Sequence, residues 1–411
     1  MMADKSKTLW SIPQPTNESN HDIKYCPAVS RGILTTIGIW SIDQQVSIFG
    51  RIITTTRVVI CYFLMIFLFI PCALHTFLEE KDQHKKIKSL GPLIYYLTAL
   101  AKYSFLVARR NDINQCLNQV SGESQHGSSF TDHKIMLNSA KLSRYIAVVC
   151  IVFTYSSSVF FRVIMPLCAG KRVGPNNITI RPLGTPVYKP LFTADESPTY
   201  EIVYTLQTMS SLVIGSVTIA AGTLTAVLVL HACGQLQLVM NKIDSFVERS
   251  ERVDDLFENR IAEVVKHHYR TLSFINSVEV TMNELCLVEF LGCMIEICLI
   301  GYYLLTELQR AETIGIITYC VLLISFTFNI FIFCYIGEML TQQGNKLGLT
   351  ANMIEWYKLP GKSARDLVLL LAMTNSPYNI TAGKMAGLSY KSFSDVLKTS
   401  MGYFNLLRKV V

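Results

Sequence analysis

The sequence is poor in charged residues and lacks the motifs of common enzyme classes. Only 16% of its 411 residues are charged, whereas about a quarter are charged in typical soluble domains. No GxSxG, HExxH or phosphate-loop motif occurs, and no CxxC pair or His/Cys cluster has metal-ligand spacing. The first fifty residues contain no compact apolar core with a cleavage site. We therefore expect neither an enzyme nor a bound cofactor or metal, and no cleaved signal peptide.

The twelve cysteines do not form a disulfide framework, because most of them lie inside apolar runs. There they behave as small apolar residues; these are Cys61, Cys150, Cys286, Cys293, Cys298, Cys320 and Cys334. Cys72 and Cys168 lie near the predicted outer ends of the first and third spans. A disulfide between these two is left open.

Half of the residues are hydrophobic, and they are gathered into long runs. A bilayer core of roughly 30 Å needs about 20 helical residues, so this pattern predicts a polytopic membrane protein. Seven candidate spans are found, at about 52–77, 90–108, 146–168, 202–230, 284–305, 314–337 and 389–408. The last span is weakly apolar and carries Ser, Thr, Lys and Asn along its length, which favours a helix that lines a water-filled pore.

Lysine and arginine counts predict the orientation. With the N-terminus in the cytoplasm, inside segments hold twenty-two of these residues and outside segments hold eleven. Seven spans then place the C-terminus outside the cell. The fold class predicted is an all-α membrane protein with seven transmembrane helices, in which cytoplasmic extensions of the helices form an anchor domain.

Helical periodicity continues beyond several spans. Apolar residues recur at helical spacing after the fourth span and before the fifth, with a turn near 248–255. A Leu-rich run at 363–374 is too short to span and is predicted to be a cytoplasmic helix. The predicted organisation is a cytoplasmic N-terminus (1–51), spans one to four (52–233), helical extensions (234–283), spans five and six (284–337), a cytoplasmic anchor (338–388) and a pore-lining span (389–411).

The C-terminal segment carries several motifs in register, at Trp356 to Pro360, Thr381 to Lys384, Leu397 to Ser400 and Tyr403 to Arg408, and a further one lies in the stretch Ile261 to Glu279. This pattern resembles that of insect odorant receptors. The resemblance implies a tetrameric cation channel in the plasma membrane of olfactory sensory neurons, gated by a small apolar volatile ligand. The chain resembles the ligand-binding subunit that partners the odorant receptor co-receptor (Orco) in a heterotetramer, since it lacks the co-receptor's long insertion between spans four and five.

Two alternatives to this interpretation are a G-protein-coupled chemoreceptor and a gustatory-type receptor channel. The first requires the opposite orientation, and the sequence has no Asp-Arg-Tyr after span three and no Asn-Pro-x-x-Tyr in span seven. The second usually carries a Gln after the Thr-Tyr pattern of the last span, and none follows here. Both features favour an odorant receptor over these two alternatives.

The resemblance implies ligand binding in the outer half of the helix bundle and a pore in the last span. Aromatic, Met and hydroxyl side chains at that depth suit a small apolar ligand; the candidates are Tyr95, Tyr96, Phe153, Ser157, Phe160, Thr208, Met209, Tyr302, Tyr303 and Tyr319. Register with the family places an apolar gate at Leu406 and Val410, next to Asn405 and Arg408. Apolar rings close a pore by excluding water.

Lys102, Arg162 and Glu296 are ionisable residues inside the predicted spans. Lys102 and Arg162 are expected to extend along their helices towards the inner and outer interfaces, respectively. Glu296 lies in the middle of span five and is expected to face the protein interior. Its role is not predicted.

The topology predicts which sequon receives a glycan. Asn177-Ile178-Thr179 lies in the outer loop after span three, whereas Asn17 and Asn379 lie in cytoplasmic segments. We expect Asn177→Gln to abolish the glycosidase-sensitive mobility shift of the full-length receptor and Asn379→Gln to leave it unchanged. A glycan on Asn379 would contradict the orientation.

Overall fold

The computed structural model describes residues 30–40, 48–123, 130–164, 172–173, 179–180, 183–188, 198–248, 254–353, 368, 371–374 and 378–410. Within them the chain is almost entirely helical. The helices are α1 (30–36), α2 (Ile48–Leu74), α3 (Gln83–Ala108), α4 (Arg110–Glu123), α5 (Phe130–Val159), α6 (Thr199–Glu248), α7 (Asp254–Arg310), α8 (Thr313–Asn352) and α9 (Tyr390–Val410). Single π-helical turns, His75–Glu79 and Phe160–Ile164, extend α2 and α5.

Six of these helices are long and apolar enough to cross a membrane, and they correspond to the first six predicted spans. The α9 helix is not among them, in agreement with its weak apolar character. Helices α3 and α5 begin well before the predicted spans, at Gln83 and Phe130. Hydropathy locates the apolar part of a helix but not its polar ends, which is also why the polar helix α4 was not predicted.

Helix α6 is the centre of the bundle. Within its most apolar stretch 83% of the residues are buried, against 28% for α2, and it contacts α2, α3, α5, α7 and α8. The run Ala220 to Thr223 supplies small side chains that permit close helix approach. Helix α2 instead exposes Val59, Phe63 and Ile66, an apolar surface suited to lipid.

Helices α6 and α7 continue without a break through the stretches predicted as cytoplasmic extensions. The two extensions are joined by Lys242 Nζ and Glu263 Oε1 at 2.8 Å and by His267 Nε2 and Gln235 Oε1 at 2.8 Å. The salt bridge to Lys242 lowers the pKa of the exposed Glu263 carboxyl. The predicted helix at 363–374 lies largely outside the described residues.

A small hairpin connects the α8 side of the bundle to α9. Strands β3 (Thr381–Ala382) and β4 (Ala386–Gly387) pair antiparallel, and two further strands of the same length, β1 (Arg172–Val173) and β2 (Thr179–Ile180), also pair antiparallel. Gly383 and Lys384 turn the chain with positive φ angles of 62° and 58°, a conformation that glycine adopts without steric cost. The Glu279 carboxylate on α7 accepts hydrogen bonds from the backbone N–H of Thr381, at 2.8 Å, and from its hydroxyl.

Glycines on α8 allow the segment before α9 to lie directly against that helix. A Cβ at Gly344 would overlap the ring of Tyr378, and one at Gly337 would overlap the backbone of Leu388. Tyr378 is itself held by a 2.8 Å hydrogen bond between its hydroxyl and His268 Nε2 on α7. The hairpin is therefore clamped between α7 and α8.

We expect Gly344→Ala to destabilise the protein by roughly 1–3 kcal/mol, because overpacking a tight contact forces neighbours out of position. Gly50→Ala is the control, since no atom lies within 4 Å of a Cβ built at Gly50. Thermal unfolding of the purified full-length chain measures both variants. Equal unfolding temperatures for the two variants would contradict the close packing.

Candidate functional site

A partly open cavity of about 450 Å³ lies between α3, α5, α6, α7 and α8, beneath residues 183–188. Its volume falls in the range of small-molecule sites. The walls are mainly aromatic and aliphatic, with the rings of Tyr95, Tyr96, Phe161, Tyr303, Tyr319 and Phe326. Such a lining suits a compact, largely apolar guest.

Five of the ten predicted ligand-binding residues line this cavity: Tyr95, Tyr96, Ser157, Tyr303 and Tyr319. The Tyr303 hydroxyl donates to the Ile87 carbonyl at 2.5 Å and accepts from the Gly91 N–H at 3.1 Å, which fixes its ring against α3. The Ser157 hydroxyl lies 3.3 Å from the Ser325 hydroxyl. Whether these residues contact a ligand stays a prediction.

The other five predicted residues do not line the cavity. Met209 is 54% exposed on the outside of the bundle, Phe153 stacks on Phe328 with ring centroids 4.4 Å apart, and the Tyr302 hydroxyl lies 2.9 Å from His84 Nδ1. The remaining two are Thr208, which donates to the Tyr204 carbonyl, and Phe160, which lies in the π-helical turn of α5. Their depth was predicted from the sequence, but the helix face was not.

The sequence predicts that Arg162 extends outward, but its side chain is instead buried at the cavity wall. Its Nη1 donates to Thr185 Oγ1 and its Nη2 to the Tyr96 hydroxyl, both at 2.6 Å. Within the described part of the chain it forms no ion pair with a carboxylate. The π-helical turn of α5 directs the guanidinium inward, where hydroxyl groups stabilise it.

Lys102 does not extend to the inner interface, because a carboxylate holds it in the bundle. Its Nζ lies 3.0 Å from Glu289 Oε2 on α7 and 3.4 Å from Thr218 Oγ1 on α6. The other Glu289 oxygen accepts from Asn329 Nδ2 on α8 at 2.5 Å. Lys102 and Glu289 are both nearly fully buried, so this network joins four helices below the cavity. Sequence reasoning did not single out Glu289.

Glu296 faces the interior, as expected from its position, and lines the cavity near Thr218 and Asn329. It is only 3% exposed, and its Oε1 has no hydrogen-bond partner among the described residues. One helical turn further along α7, Ile300 also lines the cavity. The carboxylate therefore lies beside an apolar wall.

The cavity wall shares a packing cluster with α9. Ile300, Tyr303 and Tyr319 belong to a buried cluster against which Phe404 of α9 packs. Helix α9 is further attached to α7 by a 3.0 Å hydrogen bond from Ser400 Oγ to the Met294 carbonyl. The cavity wall and α9 are thus in direct packing contact.

Two of the four predicted pore residues, Asn405 and Leu406, lie on an exposed face of α9. Leu406 is 61% exposed in the single chain, and Asn405 is exposed too. Arg408 and Val410 belong to the same helix, but their side chains lie outside the described residues. Asn177 and Cys168 also lie outside them, while Cys72 is a buried free thiol.

Comparisons with known proteins agree on one family. Residues 82–401 match the family model described as 7tm Odorant receptor. Odorant receptor 10 of Aedes albopictus is 22% identical over 52% of this chain and 57% of that protein. Odorant receptor 13a of Drosophila melanogaster is 24% identical over 54% of this chain and 57% of that protein. The chain spans under two thirds of the length of these curated relatives.

A solved structure shows the same fold over nearly the whole chain. The olfactory receptor OR5 from Machilis hrabei in complex with eugenol superposes with a TM-score of 0.80 at 12% identity, covering 96% of this chain and 100% of that one. A second structure of that receptor superposes with a TM-score of 0.77 at 13% identity and the same coverage.

The Lys102–Glu289 ion pair can be tested by its contribution to the stability of the folded protein. We expect Lys102→Met to cost about 3–5 kcal/mol, because it leaves the buried Glu289 carboxylate without its cation. The double variant Lys102→Met with Glu289→Leu removes both charges and should recover most of that loss. Thermal unfolding of the purified variants measures both effects; additive losses in the double variant would contradict the pairing.

Proposed function

Because the chain belongs to the insect odorant receptor family, we propose that it is the ligand-binding subunit of an odorant-gated cation channel. The observation that carries this proposal is the aromatic cavity, which is in direct packing contact with the helix that ends in the predicted gate. The Machilis relative of the same fold was solved with eugenol. A small, largely apolar volatile molecule occupies the cavity here.

The lining of the cavity supports this class of ligand. Each ligand CH₂ that leaves water contributes about 0.8 kcal/mol, so aromatic and aliphatic walls supply most of the affinity. The hydroxyls of Tyr95, Tyr96, Ser157 and Tyr319 orient a polar group on the ligand. Tight fit and a few fixed polar partners provide the specificity.

The pore is built from α9 in an assembly of four subunits around one axis, with the co-receptor Orco as the partner. Leu406 and Val410 form an apolar gate that opens when the helices separate. The exposure of Leu406 in the single chain supports this role, since that face is left for pore water or neighbouring subunits. Asn405 provides a hydrophilic wall beside the gate, and Arg408 modulates cation passage by electrostatic repulsion.

Ligand binding reaches the gate through the cluster shared by the cavity and α9. Tyr303 lines the cavity, and Phe404 lies in the same cluster two residues before Leu406. A ligand that displaces Tyr303 therefore changes the packing of Phe404. This path lies within one subunit.

In the proposed topology the N-terminus is cytoplasmic, the hairpin and helix extensions form the anchor, and the C-terminus is outside. The receptor operates in the plasma membrane of olfactory sensory neurons. A G-protein-coupled receptor would have the opposite orientation. Current measurements separate these two functions.

We expect cells that express this chain with the co-receptor to give odorant-evoked cation currents. The currents should persist when guanosine 5′-O-(2-thiodiphosphate) in the pipette blocks G-protein activation, because the receptor is itself the channel. Cells expressing the co-receptor alone are the control for a broad panel of volatile esters, alcohols, terpenoids and phenols. Currents that disappear with the blocker would contradict the proposal.

Adjacent serines test whether the cavity is the ligand site. Ser157→Phe places a ring in the cavity and should lower sensitivity to the agonist by about tenfold or more, since overpacking excludes the ligand. Ser156→Phe makes the same change at the exposed neighbouring position, so its sensitivity should match that of the wild type. Dose–response curves of the current, normalised to surface expression, measure both; equal shifts would contradict the assignment.

A further inference from the structure

Glu296 differs from the other buried carboxyl side chains of the described residues, because it has no partner among them. Three such side chains are nearly fully buried: Glu289, Glu296 and Glu307. Glu289 is held by Lys102 at 3.0 Å, and Glu307 by Lys88 at 2.8 Å. Glu296 has no salt bridge or hydrogen bond within the part of the chain that the structure describes.

The neighbours of Glu296 are committed to other partners. The nearest cation, Lys102, lies against Glu289 and Thr218. The amide of Asn329, which also lines the cavity, donates to Glu289 at 2.5 Å. A buried polar group without a partner is costly, and native proteins rarely leave one in that state. The missing donor must therefore come from elsewhere.

The cavity gives such a donor access to Glu296, whose buried side chain lines it. The carboxylate forms part of the lining, beside the apolar side chains of Ile300 and Leu322. Ile300 lies one turn further along α7, on the same face. The wall thus presents an acceptor at one point and an apolar surface next to it.

We propose that Glu296 is the acceptor subsite for a ligand with a hydrogen-bond donor, a primary amine or an alcohol on a compact apolar body. This proposal rests on the proposed function only in taking the cavity as the ligand site. The ligand's N–H or O–H donates to the Glu296 carboxylate. Its apolar body lies against Ile300, Leu322 and the ring of Tyr303.

Ligands of one skeleton test the subsite directly. We expect the purified full-length chain in lipid nanodiscs to bind 2-phenylethylamine and 2-phenylethanol at least about tenfold more tightly than propylbenzene, which has the same size but no donor. This preference corresponds to one buried hydrogen bond. Binding is followed as the ligand-dependent shift of thermal unfolding, so the measurement requires neither the co-receptor nor a current.

Two substitutions at Glu296 separate charge from hydrogen bonding. The amine brings a positive charge that an ionised Glu296 pairs with, so the wild type should bind it more tightly than the alcohol. Glu296→Gln keeps an acceptor of the same shape but cannot ionise, so it should lose this difference. Glu296→Leu removes the acceptor and should bind all three probes alike. Glu284→Gln makes the same amide substitution on α7 outside the cavity, at a partly exposed residue paired with Arg109, and should keep the wild-type order.

The outcomes of these binding measurements can be distinguished from those of the current measurements with the co-receptor. A donor preference that disappears in Glu296→Leu supports the subsite even if no odorant-evoked current is found. Equal affinities of the wild type for all three probes would overturn it, as would a donor preference retained in Glu296→Leu. Failure of the folded wild-type chain to bind either donor probe up to millimolar concentration would overturn it as well.

Discussion

The ion pair between Lys102 and Glu289 is the constraint on which the arrangement of the bundle depends. Neither charge can reach water, because both side chains are buried between α3, α6, α7 and α8. A buried charge without a partner is strongly destabilising, so the helices must meet in the register that joins these two groups. That register determines which parts of the interior are filled by side chains, and it leaves a cavity above the Lys102–Glu289 pair.

The cavity follows from this register and from the second buried cation. Arg162 is held by hydroxyl groups at one side of the cavity, and Glu296 lies in the wall near the Lys102–Glu289 network. The surrounding structure thus fixes the polar groups of the cavity, and the aromatic rings between them determine the shape of the cavity. Such a site recognises a small molecule by fit first and by a few directed hydrogen bonds second.

The sequence predicts the number and order of the apolar helices well, because length and hydropathy are local properties. It also predicts that α6 and α7 continue as helices beyond the membrane, since their apolar spacing persists. It fails for Lys102 and Arg162, whose partners lie on other helices and are invisible to local patterns. For the same reason it identifies the depth of Met209 but not its outward orientation.

The family motifs likewise show that local sequence patterns do not reveal contacts between distant residues. Glu279 and Thr381 carry the resemblance, yet nothing in their spacing shows that they contact one another. In the structure Glu279 accepts hydrogen bonds from Thr381 and so holds the β3–β4 hairpin against α7, immediately before α9 begins. The hairpin sets the position of α9, and the aromatic cluster around Tyr303 connects that helix to the cavity.

The central claim is that a volatile ligand occupies this cavity and acts on α9 from there. Cryo-electron microscopy of the assembled receptor with a saturating agonist tests it most directly. The account predicts ligand density within the cavity, bounded by Tyr96, Tyr303 and Glu296, with Phe404 displaced relative to the agonist-free assembly. Ligand density at a different location, with this cavity empty, would contradict it.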